Sequence, residues 1–441
     1  MGTITEYIAD LHIHSPYSRA TSRESTLAGL SAWAQVKGIQ IVGSGDFTHP
    51  GWFATLKESL EPAEPGLFRL KSAAALPSPL AGLEIAPQTV RFLLSAEVSC
   101  IYKRHGVVRK VHNLLYVPDF AAAERVNRRL AAIGNITADG RPILGLDSRD
   151  LLEIMLEDAP DGFLVPAHIW TPWFSLFGSR SGFDSLEECF GDLTPHIFAL
   201  ETGLSSDPAM NWRLSALDRY SLISCSDAHS PSKLGREVCV FDCQMDYAAI
   251  RRVLKEKDKS RFLQTLEYFP QEGKYHYDGH RACNLRLSPS ETKKHKGLCP
   301  VCGKKITVGV LHRVEDLSDR PRDYVPENSI PFKSLVPLEE ILSLALKVGT
   351  GTQRVNQEYH KLISHFGSEF NVLLEAPAGE LTRVTSLSVA EAVLKMRAGT
   401  VHILPGYDGE YGTISFDEGK TEKKEEEKPA KGKTKKQMEM F

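Results

Sequence analysis

An α/β fold is predicted for roughly the first 270 residues, a parallel sheet closed or wound with helices outside. Short apolar runs alternate with helix-like stretches from Ile4 to about Pro270. Polar, His-rich pieces sit just after the apolar runs, as at the C-terminal rim of a β/α barrel. With 441 residues, 42% of them hydrophobic and 25% charged, there is material for a large core and for two or three domains.

The elements follow in order. Ile8–Ile13 reads as a strand and Leu27–Lys37 as a helix ended by Gly38. Further strands are expected at Ile39–Gly43, Arg91–Val98, Val111–Val117, Gly162–Val165, Ile197–Leu200 and Ser221–Ser224. Around Tyr268–His280 the alternation breaks, so residues 1–270 form the expected barrel unit and 271–328 a Cys/His segment. Residues 329–416 regain helical periodicity, as in Leu338–Val348 and in Val389–Ala398 before Gly399. Residues 417–441 carry a Lys/Glu run without apolar periodicity, a disordered tail by composition.

Composition excludes several classes. A formal net charge of -3 gives no global attraction to nucleic acid, so any such binding needs local Arg and Lys patches. Met1–Ile13 lacks the pattern of a signal peptide, and no apolar run approaches bilayer length. Eight cysteines are few, which suits a reducing cytoplasm. No G-x-x-x-x-G-K-[ST] loop is present for a nucleotide-driven motor.

Asp10, His12 and His14 alternate along the first strand and so share one face. Two imidazoles at i and i+2 can grip one divalent ion, and Asp10 can hold a ring N–H that does not ligate. Asp46 and His49 follow the second strand. Glu97 ends a strand, His112 lies in the next, His168 follows Leu-Val-Pro-Ala, and Asp227 and His229 sit in Ser-Asp-Ala-His. A single His after a strand is ordinarily a satisfied or surface residue. The whole set, in order at strand ends, points to a shared metal site. Imidazole with carboxylate suits zinc, manganese or iron rather than calcium. Cations so held lower the pKa of water and offset charge on a phosphoryl oxygen, which makes phosphate-ester hydrolysis the expected chemistry.

His280-x2-Cys283, fifteen residues, then Cys299-Pro-Val-Cys302 has the spacing of a four-ligand structural zinc site. His276 and His295 compete with His280 for the fourth position. Cys100, Cys189, Cys225, Cys239 and Cys243 lie in apolar surroundings and read as small core residues.

The run Asp-Leu-His-Ile-His at 10–14 and Ser-Asp-Ala-His at 226–229 resembles the PHP superfamily (polymerase and histidinol phosphatase). The resemblance implies a distorted (β/α)7 barrel holding up to three metals. It implies one metal on His12, His14, Glu97 and Asp227. A second is bridged by Glu97 to His112 and His168, and a third lies on His229 with Asp46 or His49. The second motif departs from the family, since Phe47 and Thr48 separate Asp46 from His49. Glu97, Asp227 and His229 are expected to carry the chemistry. Zn²⁺ is expected in both sites, with Mg²⁺ or Mn²⁺ open for the active one.

Basic residues flank these ligands. Arg19 and Arg23 follow the His-x-His loop, Lys233 and Arg236 follow Asp-Ala-His, and Arg104, Arg109 and Lys110 precede His112. Singly each is an ordinary solvated charge; together they suit backbone phosphates. The aromatic, Gly-rich loop Trp170–Phe183 either stacks on a base or packs in the core. The terminal Gln437, Met438, Met440 and Phe441 resemble the bacterial sliding-clamp-binding pentapeptide, a tether that would place the protein on DNA.

The full arrangement resembles the endonuclease Q family, with local matches at Ser18–Ser22, Gly309–Val314 and Pro405–Gly409. That resemblance implies a barrel, a zinc-binding insert and a helical C-terminal domain. It further implies cleavage of DNA 5′ to uracil, hypoxanthine, xanthine or an abasic site, the base being flipped into a pocket, by an enzyme of the cytoplasm and nucleoid. A small-molecule phosphatase of the histidinol phosphate type, and a non-catalytic clamp-tethered DNA-binding repair factor, are the alternatives.

Overall fold

The computed structural model describes residues 6–71, 79, 83 and 90–416. Strand β1 (Tyr7–Asp10) pairs in parallel with β2 (Ile41–Gly43), and β2 in parallel with β3 (Arg91–Arg104). The helix between β1 and β2, Leu27–Lys37, keeps the bounds read from the sequence. Thr26 caps its first turn through the Gly29 N–H, and Gly38, at φ 88°, donates to Ala34 O and Gln35 O.

Beyond β3 the sheet departs from the parallel expectation. β3 and β4 (Val107–Val117) form one long antiparallel hairpin, from Leu94↔Val117 to Arg104↔Val107. The sequence pattern predicts only Arg91–Val98 and Val111–Val117 here. His105 and Gly106, at φ 51° and 78°, make the two-residue reversal that lets both strands run on. β4 then pairs antiparallel with β5 (Phe163–Pro166). A separate parallel ladder joins β6 (Ala199–Glu201) to β7 (Ser221–Ile223). On the far side of β1 lie β8 (Val238–Phe241) and β9 (Phe262–Glu267), both antiparallel. The result is a mixed α/β architecture with a central sheet and flanking helices. Ile41, Val42, Leu93, Leu94, Val165 and Ile223 are fully buried, so both faces of these strands are covered.

The C-terminal helices are Leu338–Leu346, Gln353–Phe366, Ala378–Val384 and Leu387–Arg397. Strand Phe332–Ser334 adds to β9 in parallel, and a buried ion pair, Lys37 Nζ to Glu369 Oε2 at 2.6 Å, ties these helices to the sheet. Glu369 also accepts from the Leu338 N–H and the Tyr359 hydroxyl, so its charge is fully partnered. The Cys/His segment folds around a small core of its own, Leu287, Cys299 and Ile306. The five cysteines read as core residues are buried. Among the described residues no helix is long and apolar enough to cross a membrane.

Candidate metal centre

Seven of the nine sequence-derived ligands converge. Three donor groups have their ligand atoms within 4.8 Å of one another: His12, His14 and Glu97; His14, Asp227 and His229; Glu97, His112 and His168. His14 and Glu97 each belong to two groups, so the three positions adjoin. Glu97 Oε1 lies 2.6 Å from His112 Nδ1 and 3.1 Å from His168 Nε2. Its Oε2 lies 3.2 Å from His14 Nε2 and 3.7 Å from His12 Nε2. Asp227 Oδ1 is 3.1 Å from His14 Nε2 and 3.6 Å from His229 Nδ1.

Strand geometry explains the convergence. His12 and His14 lie beyond the end of β1, on either side of Ile13, whose bridge to Ala228 sets them beside the Asp227 loop, and the hairpin register sets Ser99 opposite His112, two residues beyond Glu97. Asp46, His168 and Asp227 follow their strands with φ of 48°, 32° and 47°, the left-handed region that Asp tolerates better than most residues. These turns aim side chains back across the strand ends.

Asp46 and His49 do not join the three donor groups. Asp46 Oδ1 sits 3.1 Å from His14 Nδ1, and its Oδ2 accepts from Ser15 N, Ser15 Oγ and Ser18 Oγ at 2.7, 2.6 and 2.9 Å. It orients His14. His49 caps the helix Pro50–Ser59 through the Trp52 N–H and packs on Tyr17. Asp10 holds no imidazole; it accepts from the backbone N–H groups of Ser226 and Gly235 at 3.0 and 2.9 Å, fixing the loop that carries Asp227.

Two residues were missed by the sequence reading. Glu201 accepts from His12 Nδ1 at 2.9 Å and from the His168 N–H at 2.8 Å. It ends an apolar run in Phe-Ala-Leu-Glu, the same signal that exposed Glu97. Arg141 donates from Nη1 to Glu97 Oε2 at 3.0 Å; it lies in a loop with no periodicity to betray it.

The electrostatics suit cation binding. Burial would raise Glu97, but His112 and Arg141 outweigh it and hold the carboxyl well below its usual range. Burial likewise opposes ionisation of Asp227, and His12, His14 and His229 override it. Burial brings His112 down to about 4 despite Glu97, leaving a neutral ring able to donate its lone pair. His12 Nε2, His14 Nε2 and Asp227 Oδ1 are buried with no hydrogen-bond partner. Each such orphan costs about 1–3 kcal/mol, so their shared direction fits a bound cation.

In the Cys/His segment His280, Cys283, Cys299 and Cys302 form a fourth donor group. His276 is buried against Tyr277 and His295 ends the helix Pro289–Lys294, so neither competes with His280. Burial would raise the Cys299 thiol, but the backbone N–H groups of Cys302 and Val301 prevail and bring it down to about 7.

The basic residues divide. Arg19 and Arg23 are exposed, and Arg19 pairs with Asp139. Lys233 is ion-paired with Glu339 of the C-terminal helices, and Arg236 donates to Ser226 O at 2.9 Å, bracing the Asp227 loop. Arg104 pairs with Asp147 and Arg109 with the Gly182 carbonyl. In the aromatic loop Trp170, Phe177 and Phe183 are core, whereas Trp173 and Arg180 are exposed with the guanidinium over the indole. Gln437, Met438, Met440 and Phe441 lie outside the described residues.

A family model described as the MJ0043 C-terminal domain matches residues 337–400. The uncharacterised protein YqxK of Bacillus subtilis is 30% identical over 420 residues, 92% of this chain and 98% of its own. The uncharacterised protein MJ0043 of Methanocaldococcus jannaschii is 35% identical over 260 residues, which are 57% of this chain and 32% of that one. The chain thus matches about a third of that archaeal relative. The crystal structure of the lesion-specific endonuclease PfuEndoQ from Pyrococcus furiosus aligns with a TM-score of 0.81 at 31% identity, covering 94% of this chain and 96% of that one. Endonuclease Q in complex with a 27-mer duplex bearing an abasic lesion at its active site aligns with a TM-score of 0.80, again at 31% identity, over 94% and 97%.

Proposed function

Since the chain belongs to the endonuclease Q family, we propose that it is a metal-dependent DNA endonuclease of the PHP phosphoesterase type. It cuts 5′ to uracil, hypoxanthine or xanthine, or at abasic sites. The observation that carries this reading is the set of three adjoining donor groups on Glu97, His14 and Asp227. The likeness to a structure that holds damaged duplex supports DNA as the substrate.

The proposed roles follow from the contacts. His12, His14, Glu97, His112, His168, Asp227 and His229 would hold the cations. Bound there, divalent cations supply water of lowered pKa and positive charge opposite the phosphoryl oxygens. Glu201 and Asp46 lock the rings of His12 and His14 so that each presents Nε2. Arg19 and Arg23 meet backbone phosphates at the rim.

Around this centre we assign a distorted seven-fold barrel to residues 1–270, a segment held by zinc on His280, Cys283, Cys299 and Cys302 to 271–328, and a helical domain to 329–416. Residues 417–441 are the tether to a sliding clamp, and the enzyme works in the cytoplasm at the nucleoid.

Duplexes carrying one deoxyuridine, deoxyinosine or abasic site, incubated with Mg²⁺ or Mn²⁺, test the reading. The expected product is a nick immediately 5′ to the lesion, lost in Glu97→Ala and Asp227→Ala. Release of phosphate from histidinol phosphate with DNA left intact would replace it with a small-molecule phosphatase. Tight DNA binding without a cut would replace it with a repair scaffold. Deleting 437–441 should spare the nick and abolish clamp association.

A further inference from the structure

Arg141 enters the centre from the loop after the helix Phe120–Ile133. Its Nη1 rests on Glu97 Oε2, the oxygen that also faces His14 and His12. Among the described residues Glu97 is the sole hydrogen-bond partner of the guanidinium, and the side chain is 21% exposed. Most of its N–H donors are therefore uncommitted, on a side chain that touches the donor groups and also reaches solvent. Its charge acts on His112, Asp227 and His229 as well as on Glu97.

The position is built. Gly140 N donates to Tyr17 O at 2.9 Å, and Thr48 Oγ1 to Gly140 O at 3.3 Å. A Cβ at 140 would overlap Asp46 Oδ2 and Ser18 Oγ, so the loop lies directly on the carboxylate that orients His14. Asp139 Oδ1 accepts from the backbone N–H of Arg141 at 3.1 Å and of Arg19 at 3.4 Å, and its Oδ2 sits 3.2 Å from Arg19 Nε. One carboxylate thus sets two arginines, one inside the centre and one at its rim.

A purely structural counter-ion for Glu97 needs no free donors and no opening to solvent. A phosphodiester needs two: its non-bridging oxygens match the fork of a guanidinium, which a lysine cannot reproduce. We propose that Arg141, positioned by Asp139 and Gly140, binds the non-bridging oxygens of the phosphoryl group that is cleaved. This rests on the reading of the centre as a phosphoesterase, not on which DNA lesion it accepts.

The test uses the full-length, metal-loaded protein and two probes independent of DNA, inorganic phosphate by calorimetry and hydrolysis of bis(p-nitrophenyl) phosphate. Metal content and melting temperature are read alongside. Arg141→Gln is expected to keep its metal and its melting temperature. It should bind phosphate roughly ten- to a hundredfold more weakly, as loss of a charge-assisted pair requires, and kcat/KM should fall at least as far. Arg141→Lys keeps the charge but not the fork, so its affinity should lie between those of wild type and Arg141→Gln. Should the Gln variant not fold, a Lys variant equal to wild type would by itself refute the fork. Phosphate affinity of Arg141→Gln within twofold of wild type, or a loss that merely tracks missing metal, overturns the proposal. If no damaged duplex is cut yet the phosphate results hold, the endonuclease reading fails and Arg141 stands. If duplexes are nicked and phosphate binding is unchanged, Arg141 alone fails.

Discussion

Replacing Glu201 by alanine removes an acceptor from two groups at once. His12 Nδ1 loses oxygens at 2.9 and 3.2 Å, and the His168 N–H loses one at 2.8 Å. Glu201, His12 and His168 are all buried, so no bulk water substitutes. Outer-shell partners of metal-bound histidine are worth about 10- to 100-fold in cation affinity, about 1.4–2.7 kcal/mol. Alanine belongs at the upper end, because it frees the ring of one ligand and leaves unpaired the backbone of a second, already held at φ 32°. Glutamine keeps one acceptor oxygen and belongs near the lower end. Competition with a metallochromic chelator gives the affinity, with the number of bound ions counted by mass spectrometry. If both variants bind the cation within twofold of wild type, Glu201 does not govern His12 and the orientation argument fails.

The pH dependence has a definite sign. In the cation-free protein His12 and His14 stand well above the ordinary imidazole value, because Glu201 with Asp227, and Asp46 with Asp227, override burial. These protonated pairs stabilise the cation-free fold at low pH, and that support is lost as pH rises through the raised values. An incoming ion displaces those protons, so affinity should climb with pH by roughly tenfold per unit for each proton released; a flat profile would contradict it. Gly140→Ala should lower stability by about 1–3 kcal/mol, since Asp46 Oδ2 is pinned by three donors and cannot yield; an unchanged melting temperature would show that the loop is not tightly seated. Cys299→Ser should remove one equivalent of zinc, leave the other ions bound and open residues 278–308 to protease, because a core of Leu287, Cys299 and Ile306 cannot hold them alone. Full zinc content in that variant would remove the structural site.

The convergence of the donor groups was legible because strand ends fix where a side chain goes. Alternation placed His12 and His14 together, and acids or imidazoles at the ends of apolar runs supplied the rest. Legibility failed where backbone torsion, not periodicity, decides direction. Asp46 looked like a ligand beside His49, yet its left-handed turn folds the carboxylate onto His14 Nδ1. Asp10 ends β1 just before the imidazoles, but its partners are backbone N–H groups on a loop more than two hundred residues away, which no spacing announces. The β3–β4 hairpin was shortened because Cys100–Lys110 mixes apolar and charged residues, and the turn residues His105-Gly106 carry only a weak signal.

Donor groups and their supports therefore form one object rather than a site set on a scaffold. His168 and Asp227 occupy a backbone region that costs a non-glycine residue about 1 kcal/mol, and such strain persists only where neighbours over-determine it. Glu201 binds the His168 N–H, Asp10 binds the Ser226 N–H, and Arg236 grips the Ser226 carbonyl. Arg236, expected from the sequence to meet DNA, already spends a donor on the loop that aims Asp227, so its loss should act on the metal before it acts on any nucleic acid. Arg19, held through Asp139 beside Arg141, keeps the exposure that its proposed contact with phosphates needs.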